Sequence, residues 1–99
     1  MSLSTQQMRY LRGLSHNLQP VVTIADKGLS ENVLAEINAA LVKHELFKVK
    51  LRTGKDLREQ WIAEIIHRFK AEKVHVIGHV ACFYKRNNKK PGIALPGQT

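Results

Sequence analysis

Ninety-nine residues with 43% apolar side chains make one small globular domain, residues 1–99, and argue against disorder. The formal charge of +8 is uneven: residues 1–49 hold five Lys and Arg against four Asp and Glu, residues 50–99 eleven against four, which favours a nucleic-acid or anionic membrane surface. No apolar stretch approaches the ~20 residues of a membrane span. Polar Gln6 and Gln7 follow Met1-Ser2-Leu3-Ser4 where a signal peptide would have its apolar core, so a cytoplasmic protein is expected.

A first helix is predicted to open at Ser4, which has capping-box spacing to Gln7, with Leu3 placed to staple against Met8. Met8, Leu11 and Leu14 recur at helical spacing, while Arg9 and Arg12 share another face. After Pro20, Val21 to Ile24 is apolar without alternation, as in a strand covered on both faces. The loop Ala25-Asp26-Lys27-Gly28 then leads into a second helix. Ser30 is its N-cap, Glu31 sits in its first turn, and Val33, Leu34, Ile37, Ala40 and Leu41 form one apolar stripe.

Leu46 to Arg52 alternates at period two, with Phe47, Val49 and Leu51 on a core face and Lys48, Lys50 and Arg52 on a cationic one. Those cations would stand about 6–7 Å apart, close to the phosphate repeat of a single strand. A third helix is predicted from about Asp56 to Ala71, burying Leu57, Trp61, Ile62, Ile65, Ile66 and Phe69. Val74 to Ile77 and Val80 to Arg86 read as two strands joined at Gly78-His79, and a basic tail begins at about residue 87. The order helix, strand, helix, strand, helix, strand, strand gives a two-layer α/β sandwich, α-β-α-β-α-β-β, on a mixed four-stranded sheet.

Two features suit a ribose-phosphate backbone. The first amides of a helix lack internal partners and carry partial positive charge, so the loop before the second helix is a plausible phosphate seat, with Lys27 as a cation and Gly28 allowing close approach. Lys48, Lys50, Arg52, Lys85 and Arg86, with Arg9 and Arg12, would hold neighbouring phosphates. Catalysis finds little support: no nucleophile elbow, phosphate-binding Walker loop or dinucleotide fingerprint occurs. His75, His79 and Cys82 lack zinc-ligand spacing, Cys82 reads as a small buried thiol, and neither metal nor cofactor is expected. A membrane-binding helix is disfavoured because the polar faces carry mixed charge. No small-molecule substrate is implied, and a monomer is expected.

Leu3-Ser4 with Leu11-Arg12-Gly13-Leu14, Pro20-Val21-Val22, Gly28-Leu29, Val33-Leu34-Ala35-Glu36-Ile37, His44-Glu45-Leu46, Lys48-Val49-Lys50, Val76-Ile77-Gly78, Tyr84 and Ile93-Ala94-Leu95-Pro96 occur in an order that resembles the CRM (chloroplast RNA splicing and ribosome maturation) domain. The single-domain bacterial YhbY-like form is the nearest pattern. The resemblance implies a fold similar to the C-terminal domain of translation initiation factor three. It also implies a non-catalytic RNA-binding function, with ribosomal RNA or precursors of the large ribosomal subunit as partners during ribosome assembly. The family's backbone-gripping GxxG loop corresponds to Ala25-Asp26-Lys27-Gly28, where Ala25 replaces the first glycine and Asp26 brings a negative charge. The RNA-binding set expected here is therefore Ala25, Lys27, Gly28, Arg9, Arg12, Lys48, Lys50, Arg52, Lys85 and Arg86. A protein-interaction module docking the same basic face on an acidic partner is the alternative.

Overall fold

Ser4 starts the first helix as its spacing predicts. Its hydroxyl accepts from the Gln7 amide at 3.1 Å while Gln7 Oε1 accepts from the Ser4 amide at 3.0 Å, so two orphan donors are satisfied at the head of α1 (Thr5–Ser15). In the computed structural model, which describes residues 3–87, 89 and 92–97, there follow β1 (Pro20–Ile24), α2 (Glu31–Lys43), β2 (Leu46–Leu51), α3 (Lys55–Phe69), β3 (Glu72–Ile77) and β4 (Val80–Tyr84). Asn88 and Lys90 of the expected basic tail lie outside the described residues.

The four strands form one sheet in the order β1-β2-β4-β3. β1 and β2 are parallel, and β4 is antiparallel to both β2 and β3. The alternation of β2 sets the main core: Phe47, Val49 and Leu51 are buried with Val22, Ile24, Ala81 and Phe83 beneath α2 and α3, which contribute Ile37, Leu41, Trp61, Ile62 and Ile65. Full burial of a side chain such as Phe47, Phe83 or Ile65 stabilises by about 2 kcal/mol relative to exposure.

Helix α1 lies on the opposite face of the sheet. There Leu11 is buried with Leu46, Val74, Cys82, Tyr84 and Leu95 in a second cluster, against which Leu3, Met8, Leu18 and Ile93 pack. Glu45 ties the C-terminal segment to this cluster. Its Oε1 accepts from the amides of Gly92 and Ile93 at 2.6 and 2.7 Å, and its Oε2 from the amide of Asn87 at 2.7 Å. Gln7 Nε2 donates to the Pro96 carbonyl at 3.1 Å, so α1 and this strap brace each other.

Three expectations need correction. β1 is not covered on both faces: it is an edge strand whose Val22 and Ile24 are buried while Val21 is 49% exposed. With Val22 and Ile24 inward, alternation turns Val21 outward, and a register shift between Pro20 and Val22 brings Pro20 opposite Lys48 as well. Leu57, expected in the core, is exposed, because the buried stripe of α3 begins one turn later at Trp61. That helix stops at Phe69 rather than Ala71, since Lys70 takes the left-handed conformation (φ 55°) and Ala71 already leads into β3.

Candidate nucleic-acid interface

The parallel pairing of β1 with β2 ends both strands at the same end of the sheet, and each then runs into a helix N-terminus. At that end the Gly28 amide donates to the Ala25 carbonyl at 2.8 Å, closing a four-residue turn, and Gly28 has φ of +60°. A left-handed backbone favours glycine here. Space is not the constraint, because a Cβ at Gly28 would meet the Trp61 indole at an ordinary 3.6 Å. Trp61 itself is buried and supports the loop from below, in keeping with the core role expected of it. Ser30 caps α2, its Oγ accepting from the Val33 amide at 3.2 Å.

The register of the sheet composes the face opposite α2 and α3. One row across four strands is Pro20, Lys48, Cys82 and His75, and the next is Thr23, Lys50, Val80 and Ile77. Helix α1 covers the end of this face nearest Leu46 and Tyr84 and reaches Cys82 of the first row, which is buried, while Lys48 and His75 stay half-buried beside it and the second row is left open. Between these rows and the end of α1 lies a hollow of about 330 Å³ lined by His16, Leu18, Gln19, Pro20, Lys48, His75, Ile77, Val80 and Cys82. The rings of His16 and His75 face each other, centroids 6.4 Å apart and 15° from parallel. Burial, then the electrostatic influence of Lys48, His16 and Arg12, pushes the His75 imidazole below its usual pKa.

This arrangement gathers part of the expected set. Lys48 is half-buried in the hollow, Lys50 is exposed one row further on, and Arg52 follows just beyond β2, its amide donating to the Ile24 carbonyl at 2.8 Å. Lys27 is exposed in the neighbouring loop with Ala25 and Gly28, and Arg12 approaches from α1. From Lys48 to Arg52 this track runs about 13 Å at the usual strand rise. Arg9 stands one helical turn back from Arg12, away from the hollow at the end of α1. Lys85 and Arg86 do not join the track. They follow β4 at the opposite end of the strands, where the Lys85 amide donates to the Glu45 carbonyl at 2.9 Å, and they border a separate depression with Asn38, Leu41, Val42 and Asn87.

Among the described residues, the ion pair within 4 Å is Arg68 with Glu64 on α3, so no carboxylate neutralises the cations of the track at contact range. Tyr84 is buried in the cluster beneath α1 and offers no ring for stacking. His16 and His75 were missed as members of the site. Their spacing in the chain gives no sign that α1 crosses to the cationic face of the sheet. Among the described residues, no three His, Cys, Asp or Glu are grouped to hold a metal, and no helix is long and apolar enough to cross a membrane.

The fold and this face define a class: a small α/β domain whose open sheet surface carries unneutralised cations up to a glycine turn at a helix N-terminus. The chain belongs to the CRS1/YhbY (CRM) domain family, whose sequence profile matches residues 3–85. It is 43% identical over 96 residues, spanning 96% of each chain, to a Haemophilus influenzae protein named RNA-binding protein. It is 38% identical over 90 residues, 90% of this chain and 86% of the other, to a Pseudomonas aeruginosa protein named a probable RNA-binding protein. The solution structure of a hypothetical Staphylococcus aureus protein, described provisionally as RNA-binding, superposes with a TM-score of 0.80 at 31% identity, covering 96% of this chain and 100% of that one. The helix and strand order read from the sequence is thus the order of the fold.

Proposed function

We propose that this protein is a non-catalytic RNA-binding protein that engages ribosomal RNA, within precursors of the large ribosomal subunit, during ribosome assembly. The observation that carries the reading is the run of unneutralised cations Lys48, Lys50 and Arg52 beside the Lys27 loop. Backbone phosphates are the complementary charge at that spacing. Relatives across nearly the whole chain that bear the name RNA-binding protein support the choice of polyanion, and the family resemblance supports the ribosomal setting. Binding of this kind positions RNA through its backbone and requires no bond to be made or broken.

The test is the affinity of the full chain for structured ribosomal RNA as a function of salt. With about five phosphates engaged on a single-stranded segment, log affinity is expected to fall against log salt with a slope near −3.5. Lys48→Ala with Lys50→Ala is expected to flatten that slope by about 1.4, two contacts at about 0.7 each. No binding at low salt overturns the proposal. Association with ribosomal particles that survives nuclease treatment but is lost in the double variant would point to an acidic protein partner instead.

A further inference from the structure

We infer that the hollow between the end of α1 and the open sheet face is a phosphodiester subsite, and that His75 takes up a proton when RNA fills it. The inference rests on the RNA-binding reading and adds a located contact and a linked proton to it.

The hollow is formed by long-range features of the fold. Both edge strands carry a register shift at the row that forms its floor: β1 between Pro20 and Val22, and β3 between Lys73 and His75. The second bulge lets two successive residues serve one side of the sheet, Val74 entering the cluster under α1 and His75 lining the hollow. The first sets Pro20 opposite Lys48 at the other rim. The resulting 330 Å³ lies within the ~300–1,000 Å³ of small-ligand sites.

Its chemistry is that of an anion seat. Lys48 from β2, His75 from β3 and His16 at the C-cap of α1 line it, with the charge of Arg12 on α1 also acting on His75, while Cys82, Ile77, Val80 and the connecting residues Leu18, Gln19 and Pro20 bring no charge. Burial pushes the Cys82 thiol up to about 11, so it adds no negative charge near neutrality. No carboxylate lines the hollow among the described residues.

The His75 tautomer follows from its neighbour. Ser15 Oγ donates its proton to the Arg12 carbonyl at 2.7 Å and lies 3.4 Å from His75 Nε2, so it is left to accept from Nε2–H. Nδ1 then carries the lone pair of the neutral ring, and a proton added there turns it into a second donor. In the free protein, burial and the cations around it oppose that proton. A phosphate seated against Lys48 offsets the positive charge that opposes it. Protonation and phosphate binding therefore favour each other.

The experiment uses the full chain and an oligouridine, whose bases do not titrate between about pH 5 and 8. The His75 ring resonances, assigned by comparison with His75→Gln, are followed against pH with and without oligouridine. Affinity is measured over the same range for both proteins. Oligouridine is expected to raise the His75 titration midpoint. Wild-type affinity is expected to climb as pH falls, by up to tenfold per pH unit between the free and bound midpoints, and His75→Gln to lose that climb. Binding with an unmoved midpoint overturns this inference and leaves the RNA reading standing. Absence of binding at every pH overturns both.

Discussion

At the scale of the residue, the backbone of Gly28 and the surroundings of His75 and Cys82 make separable claims. Gly28→Ala is expected to destabilise the protein by about 1 kcal/mol, the cost of a side chain at positive φ, with no clash added because the Trp61 ring stands 3.6 Å away; denaturant unfolding measures it. Cys82 is fully buried with its thiol pushed to about 11, so alkylation at pH 8 should track unfolding rather than proceed on the native protein. For His75 the folded pKa lies below the unfolded value of 6.5. Between the two the unfolded chain binds a proton that the folded chain refuses, so stability is whole above pH 6.5 and falls as pH drops through that window. His75→Gln should remove that part of the pH dependence in thermal unfolding. The alternation that sets Lys48 and Lys50 on the face away from the main core was readable in the sequence, because it needs only the period of a strand. The roles of His16 and His75 were not, because they meet across the sheet with 58 intervening positions between them.

At the scale of the element, caps and stripes were legible where they are local. Ser4, Ser30 and the stripe Ile37, Ala40 and Leu41 behave as their spacing requires. What failed was placement set by the assembled fold or by backbone conformation: Val21 exposed on an edge strand, Leu57 exposed before the buried stripe of α3, and that helix stopped early at Lys70. Lys70 ends that helix with φ of 55°, a conformation that costs a residue bearing Cβ about 1–2 kcal/mol, partly offset in the unfolded chain if glycine replaces it. Lys70→Gly is therefore expected to stabilise by up to about 1 kcal/mol, read as a shift of the denaturant midpoint at constant slope.

At the scale of the molecule, the sheet separates two jobs. One face, under α2 and α3, supplies most of the core, while the other is shared between α1 with the C-terminal strap and the open cationic rows. The strap hangs on one carboxylate, since Glu45 accepts three backbone amides at 2.6–2.7 Å. Glu45→Gln substitutes a donor for one of those acceptor oxygens and should destabilise by about 2–3 kcal/mol, with Leu95 losing protection from the cluster under α1. Neither the strap nor the crossing of α1 has a local signature, so the helix and strand order predicted the main layers but not how the second face is divided.

The most direct measurement is the salt dependence of RNA affinity in two double variants, Lys48→Ala with Lys50→Ala on the open face and Lys85→Ala with Arg86→Ala at the opposite end of the strands. A slope flattened by about 1.4 in the first pair and by less in the second is expected if the unneutralised cations of the open face hold the RNA backbone. An unchanged slope in the first pair, with RNA still bound, would contradict it.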